Sequence, residues 1–194
     1  MCGILLCMLI TIPFNIMDKL KYPLGKFEAS GNISDEILQE AIADIGALPE
    51  KIQAAAKLLG SERLVHPYRP GGWNGLQVIH HVADSHLNAL IRFKLALTEE
   101  NPTIKPYRED LWAALADYAA PIEQSLQLIS SIHYRWHLLM TSLSDDQWAR
   151  TFYHPENKLS TTLRRNALLY QWHGNHHLGH LYLISSYPSP SVNI

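Results

Sequence analysis

The chain has 194 residues, of which 47% are hydrophobic and 18% are charged, a composition typical of one globular domain with a sizeable core. A formal net charge of -2, without a dense cluster of Lys or Arg, gives no support to nucleic-acid binding. The two cysteines, Cys2 and Cys7, lie at the N-terminus, which indicates a cytoplasmic location and restricts any metal site in the rest of the chain to His, Asp or Glu ligands.

The first segment, MCGILLCMLITIPFNIM, contains an apolar run that is too short to span a bilayer comfortably. It also lacks the basic start and the small-residue cleavage site of a secretory signal. We therefore predict an N-terminal extension over residues 1–17, either a disordered tail or a stretch upstream of a true start at Met17. One domain is predicted over residues 18–194, and no membrane association is expected.

The first long helix is predicted to begin at Ser34, which precedes two acidic residues that favour a helix N-terminus. It is predicted to reach Gly60, with a kink or break at Pro49, because proline cannot donate the backbone hydrogen bond. Further helices are predicted over residues 73–99, 109–117, 121–143 and 161–185.

Ser144 and Gln147 form a capping-box pattern that predicts a brief helical turn, and the segment FYHPENKLS, residues 152–160, is predicted to be a loop. No convincing alternation typical of β-strands is present. The fold class is therefore all-α, a four-helix bundle of the up-and-down or crossover kind. Functional sites in such bundles lie in the core, between facing helices.

The last predicted helix contains four histidines within QWHGNHHLGHLY, residues 171–182. His173 with His177, and His176 with His180, have the spacing that places two side chains on one helix face, and all four lie on one arc. Apolar residues surround this helix, which predicts burial. Buried imidazoles need partners, which are either hydrogen-bonding groups or a metal. Four histidines in one arc favour the metal, and the spacing permits either pair.

The second predicted helix carries a polar stripe along an otherwise apolar surface. The stripe consists of His81, Asp84, Ser85, Asn88 and Arg92. Its low charge favours a polar cavity over a solvent-facing surface, whereas His80 and His86 fall among apolar residues. His81 together with one pair from the last helix would give three imidazoles and an open coordination position, the arrangement of a catalytic zinc site. Three imidazoles also suit Ni²⁺, Fe²⁺ or Mn²⁺.

Several segments, in this order and spacing, resemble the YfiT family of the DinB-like superfamily. They are YPLGKFE (22–28), PYRPGGW (67–73), VIHHVADSHLNALIRFKLALTEE (78–100), PTIKPY (102–107), FYHPE (152–156) and WHGNHHLGH (172–180). The resemblance implies a cytoplasmic homodimer of DinB-like four-helix bundles. It also implies one divalent metal per subunit, usually zinc, in the core of a metal-dependent hydrolase. The N-terminal extension has no counterpart in the family pattern.

The family's ligand positions fall on His81, His173 and His177. The resemblance thus selects one of the two pairs that the spacing permits. His176 and His180 are then expected either beside the ligands, where they could fix ligand orientation, or as core residues.

The chain has no serine nucleophile motif, phosphate loop or dinucleotide fingerprint. The first hypothesis is a hydrolase whose metal activates water, with Asp84 as proton acceptor and with Asn88 and Arg92 positioning a small-molecule substrate. The second is a thiol S-transferase that uses a low-molecular-weight thiol such as bacillithiol, with Arg92 binding a carboxylate of that thiol. The third is a non-enzymatic binding module that holds the metal in a closed coordination sphere.

Overall fold

The computed structural model describes residues 14–28, 31 and 33–186, and this part of the chain is mainly helical. Its elements in chain order are α1 (Phe14–Lys21), α2 (Asp35–Leu64), α3 (Gly75–Thr98), α4 (Glu109–Trp112), a 3₁₀ helix (Ala116–Ala119), α5 (Glu123–Thr141), α6 (Asp145–Trp148), β1 (Thr151–His154), β2 (Leu159–Thr162) and α7 (Leu163–Ser185). Residues 1–13 of the predicted extension lie outside the described residues, and α1 extends across residue 17. Among the described helices, none combines the length and apolar character that crossing a bilayer requires.

The four long helices α2, α3, α5 and α7 form a bundle, which confirms the predicted fold class. Helices α2 and α3 each pack mainly against α5 and α7, and only slightly against each other. The consecutive helices α2 and α3 therefore lie at opposite corners of the bundle. This arrangement matches the crossover alternative, since consecutive helices of a simple up-and-down bundle are neighbours.

Polar side chains cap the helices that carry the site. Asn74 and Gln77 form a capping box at the start of α3, and Thr162 accepts a hydrogen bond from the backbone of Arg165 at the start of α7. The predicted capping box of Ser144 and Gln147 is present at α6. These contacts satisfy backbone N–H groups that have no partner within the helix.

Of the kink or break predicted at Pro49, the break is wrong, because α2 continues through this residue. The residue with non-helical dihedral angles in α2 is Gly60, at φ 62 and ψ 174. Pro49 cannot donate to the carbonyl of Ile45, four residues earlier. That carbonyl instead accepts a hydrogen bond from Nδ1 of His133 at 2.6 Å. A side chain of α5 thus supplies the donor that the proline lacks.

Two further differences concern short elements. The segment predicted as a loop forms an antiparallel hairpin of β1 and β2, in which Phe152 pairs with Thr161 and is buried in the core. Strands of four residues are too short to display a clear alternation in the sequence. The helix predicted over 109–117 is divided into α4 and the 3₁₀ helix, because Leu115 has an extended backbone at φ -75 and ψ 159.

The core of the bundle consists of two apolar clusters. The first includes Ile45, Phe93, Trp136 and Leu163, and the second includes Ile52, Ile79, Ile129 and Leu181. The first cluster takes the N-terminal halves of α2 and α7 and the C-terminal halves of α3 and α5, so α2 and α7 run antiparallel to α3 and α5. The segments between the two clusters contribute His86, His173, His176 and His177. A layer of imidazoles therefore separates the apolar halves of the core.

Substitution of Gly174 by Ala is expected to destabilise the protein. An added Cβ would lie 2.3 Å from Cδ2 of Leu48, a side chain that is only 2% exposed and has little room to move. Overpacking costs roughly 1–3 kcal/mol, which should outweigh the gain of about 1 kcal/mol in helix propensity and leave a net loss of about 1–2 kcal/mol. Urea unfolding monitored by circular dichroism measures the difference.

Gly179→Ala is the matched control on the same helix, because its Cβ would meet Pro23 at the milder distance of 3.0 Å. If Gly174→Ala proved as stable as the wild type, or no less stable than Gly179→Ala, the close approach of α7 to α2 would be contradicted.

Candidate metal centre

Three histidines meet where α3 packs against α7. His81 lies on α3, and His173 and His177 lie one turn apart on α7. One ring nitrogen from each can be chosen so that the three atoms lie within 4.8 Å of one another. The ring centroids are 4.5–5.2 Å apart. The structure thus brings together the three histidines that the resemblance selects.

Burial keeps these three imidazoles neutral. It lowers the pKa of His81 from 6.5 to about 4, with a smaller contribution from the charge of His176. Burial also lowers the pKa values of His173 and His177 well below 6.5, and the neighbouring histidines lower them further. An imidazole binds a metal through a lone pair, so it must be neutral to serve as a ligand. The three side chains satisfy this requirement at neutral pH.

The cluster has the composition and the unmet hydrogen bonding of a cation site. Nε2 of His81 faces Nε2 of His173 at 3.2 Å, and Nδ1 of His81 is buried without a hydrogen-bond partner among the described residues. Two uncharged rings with nitrogens facing each other can share a cation. Three neutral imidazoles suit a divalent transition metal with one position left for water or substrate. The residues therefore fit the metal that the resemblance implies.

Aromatic rings surround the cluster. The ring of Trp73 lies 4.7 Å from that of His81 and 6.3 Å from that of His177, and Tyr68 stacks on His180 at 3.8 Å. Trp73 precedes α3 in the turn-rich segment 66–74, so the turn places an apolar cover over the imidazoles. Aromatic rings beside the imidazoles lower the local dielectric, which strengthens electrostatic interactions at the centre.

Two cavities adjoin the cluster. The first, of about 340 Å³, is lined by all three histidines and by Trp73, among others. The second, of about 430 Å³, is lined by Arg92, Tyr107 and His154 among others. His173 and Glu109 line both cavities. A small molecule that extended from one cavity into the other would pass His173 and Glu109.

Glu109 is the acidic side chain that both cavities share, and sequence reasoning did not identify it. It is the first residue of α4 and lies at the rim of the cavities. Partial burial of the carboxylate raises its pKa, and repulsion from Asp110 raises it further. A carboxylate with a raised pKa is a better proton acceptor. It lines the same two cavities as His173, a residue that is distant in the sequence, so no local spacing could reveal it.

The residues predicted to assist catalysis occupy different positions. Arg92 lines the second cavity and donates a hydrogen bond to the hydroxyl of Tyr170 at 3.4 Å. The carboxylate of Asp84 accepts a hydrogen bond from the hydroxyl of Tyr118 at 2.7 Å, and Asn88 donates to the main-chain oxygen of Asp84 at 2.9 Å. The structure thus brings Arg92 to the centre and directs Asp84 and Asn88 into other contacts.

The remaining buried histidines differ in their relation to the cluster. His80 contacts Ser125 and the main-chain oxygen of Ala120, away from the cluster. His176 stacks on Trp172 and lines the first cavity. The imidazoles of His86, His133 and His180 are hydrogen-bonded to the cluster or to one another. Sequence reasoning assigned His86 to an apolar face and did not single out His133.

Known proteins of similar sequence carry names that indicate metal dependence. A curated protein of Oceanobacillus iheyensis, provisionally named a metal-dependent hydrolase, is 50% identical over 161 residues, which are 83% of this chain and 93% of that protein. A protein of Bacillus mycoides with the same provisional name is 47% identical over 165 residues, which are 85% of this chain and 95% of that protein.

A solved structure shares the fold. YfiT from Bacillus subtilis is described as a probable metal-dependent hydrolase with an unusual four-helix bundle topology. It superposes with a TM-score of 0.83 at 42% sequence identity, covering 86% of this chain and 96% of YfiT. The family profile described as the DinB superfamily matches residues 45–181, which is more than half of the chain. The chain therefore belongs to the DinB superfamily, and within it resembles YfiT in both sequence and fold.

Proposed function

We propose that this protein is a metal-dependent hydrolase of small molecules. The observation that carries the proposal is the meeting of three neutral imidazoles, from His81, His173 and His177, beside two cavities. The provisional names of its relatives support the same activity. We also propose that it works in the cytoplasm as a homodimer with one metal per subunit, and that neither nucleic acid nor a membrane is its partner.

The three histidines would hold one divalent ion. Zn²⁺ is our first proposal, since neutral imidazoles with an open position suit it, and Ni²⁺, Fe²⁺ and Mn²⁺ are the alternatives. When bound, such an ion supplies Lewis acidity, which makes water more acidic and polarises a substrate oxygen.

The side chains around the centre would have three further roles in catalysis: proton transfer, substrate binding and exclusion of water. Glu109 is placed to accept a proton from water, and we assign it this role in preference to Asp84, whose carboxylate faces Tyr118. Arg92 would bind a polar or anionic group of the substrate in the second cavity. Trp73 would exclude bulk water from the imidazoles that it covers.

Thiol S-transfer is the second candidate. Arg92 forms no ion pair with a carboxylate in the described part of the chain, and it lines the cavity next to His173. It could therefore bind a carboxylate of a low-molecular-weight thiol such as bacillithiol, whose sulfur would lie near the three imidazoles. The adjoining cavities favour either enzyme over a non-enzymatic module with a closed coordination sphere.

Replacement of a single ligand should abolish stable metal binding. We expect His81→Ala, His173→Ala and His177→Ala each to weaken zinc affinity by more than about 100-fold, because loss of a ligand exceeds the 10–100-fold effect of losing an outer hydrogen-bond partner. Elemental analysis of the purified proteins and competition with a chromophoric chelator measure the effect.

His80→Ala is the control for these variants, since His80 is a buried neighbour of His81 that contacts Ser125 and Ala120 instead of the cluster. Loss of zinc from the control to the same extent as from the ligand variants would refute the ligand assignment.

Turnover assays distinguish the hydrolase from the transferase. Purified zinc-loaded protein is offered 4-nitrophenyl esters and 4-nitroanilides without thiol, and a chloroalkyl probe with and without bacillithiol. Hydrolysis without thiol is expected, and Glu109→Gln should lower kcat by about 10²–10⁴-fold with zinc retained, because it removes the proton acceptor. Asp84→Asn should leave kcat nearly unchanged. Turnover that occurs only with thiol would contradict the hydrolase.

Acid should destabilise the metal-free protein before its carboxylates titrate. Burial lowers the pKa values of His81 and His133 from 6.5 to about 4. Below pH 6.5 the unfolded chain therefore binds protons that the folded protein excludes. This stabilisation is fully present above pH 6.5 and is lost progressively as the pH falls towards 4.

Urea unfolding of the metal-free protein at about pH 7.5, 6.5 and 5.5 tests this dependence, since Asp and Glu contribute little over that range. The free energy of unfolding should fall between the last two values, and the fall should be smaller in His81→Gln. A free energy that stays constant down to about pH 5.5 would show that the buried histidines are not held neutral.

A further inference from the structure

Two hydrogen-bonded series of buried histidines lead away from the proposed ligands. In the first series, Nδ1 of His173 faces Nε2 of His86 at 3.2 Å, and Nδ1 of His86 faces Nε2 of His133 at 2.9 Å. Nδ1 of His133 then faces the main-chain oxygen of Ile45 at 2.6 Å. The first series therefore crosses from α7 through α3 and α5 to the backbone of α2.

The second series begins at the other ligand of α7. Nδ1 of His177 faces Nδ1 of His180 at 3.3 Å, and Nε2 of His180 faces the main-chain oxygen of Lys21 at 3.2 Å. His180 is 2% exposed and its ring stacks on Tyr68, so its orientation is restricted. Like the first series, the second ends on a backbone carbonyl.

Each terminal carbonyl can accept a hydrogen bond from a side chain because it lacks the backbone N–H donor that normally comes from four residues later in a helix. The carbonyl of Ile45 would normally accept from the residue four positions later, but that residue is Pro49, which has no N–H. Lys21 is the last residue of α1, and Gly25 donates to the carbonyl of Tyr22 instead. Local backbone features thus provide a fixed acceptor at the end of each series.

A carbonyl oxygen can accept a hydrogen bond but cannot donate one. This determines which ring nitrogen carries the proton in each histidine of the first series. His133 must carry its proton on Nδ1 in order to donate to Ile45. Neutral His133 then has a lone pair on Nε2, so His86 carries its proton on Nδ1 and has its lone pair on Nε2. His173 must in turn donate from Nδ1, which leaves the lone pair of His173 on Nε2, the atom that faces His81 at 3.2 Å.

The same reasoning applies to the second series. His180 donates from Nε2 to Lys21 and therefore has its lone pair on Nδ1. That lone pair accepts from Nδ1 of His177, which leaves the lone pair of His177 on Nε2. Both ligands of α7 are thus held in one tautomer by hydrogen bonds that end on backbone carbonyls.

We propose that His86, His133 and His180 are positioning residues that hold His173 and His177 in the tautomer with the proton on Nδ1 and the lone pair on Nε2. The inference rests on the proposed metal site, because it explains how two of its ligands are prepared before an ion binds. A proton on Nε2 of either ligand would occupy the lone pair that the metal needs. Outer hydrogen bonds of this kind fix the tautomer and the ring orientation of metal-binding histidines.

Nitrogen NMR of the metal-free protein tests the tautomers directly. Histidine labelled with ¹⁵N is incorporated, and the ring signals are assigned by loss of each signal in the single variants. For His173, His177, His86 and His133 we expect Nδ1 to be protonated and Nε2 to be unprotonated, with the opposite pattern at His180. Protonated Nε2 on His173 or His177 in the wild type would overturn the proposal.

Zinc affinity supplies a second readout. His133→Phe keeps an aromatic ring but removes the donor to Ile45, so the tautomers of His86 and His173 are no longer dictated by the backbone. We expect zinc to bind this variant about 10–100-fold more weakly, and a proton to populate Nε2 of His173. The control is His80→Gln, which alters a buried histidine of α3 outside both series and should bind zinc like the wild type.

The outcomes separate this inference from the proposed function. Tight zinc binding by a folded His133→Phe protein would overturn the positioning role while the metal site itself stands. The expected tautomers in a wild-type protein that fails to bind zinc would overturn the proposed function and confirm the hydrogen-bond pattern. If circular dichroism shows that His133→Phe is unfolded, the tautomers measured in the wild type decide whether the positioning proposal holds.

Discussion

Burial of uncharged imidazole rings between two apolar clusters is the constraint on which the site depends. A polar ring removed from water is costly unless each of its nitrogens finds a partner. Here most of the partners are other histidines and two backbone carbonyls, whereas Nδ1 of His81 and Nδ1 of His176 have none within the described residues. A cation among His81, His173 and His177 would provide a partner for the lone pairs of these three rings.

The same layer explains features of the surrounding helices. Gly174 allows α7 to approach Leu48, which brings the adjacent His173 against His86. Pro49, which would break most helices, is tolerated because His133 donates to the carbonyl that the proline leaves free. Residues that weaken a helix in isolation are thus accommodated by contacts from its neighbours, and these contacts also determine how the imidazoles are oriented.

Much of the fold and part of the metal centre could be predicted from the sequence. Helical periodicity and caps are local, so the four long helices were predictable, and the resemblance to YfiT selected the three histidines that the structure brings together. Glu109, His86 and His133 were not identified as functional, since the two histidines contact residues that are distant in the sequence and Glu109 shares its cavities with such residues. Asp84 was favoured as a proton acceptor because it shares a polar stripe with His81, yet its carboxylate is bound by Tyr118. A stripe on one helix does not reveal which neighbour covers each part of it.

A crystal structure of the protein loaded with zinc would test the proposed metal centre. The proposed centre should hold one ion per subunit, bound by one nitrogen each from His81, His173 and His177 at about 2.0–2.1 Å, with a water or small molecule as the fourth ligand. An ion held elsewhere, or enclosed by four protein side chains, would contradict it.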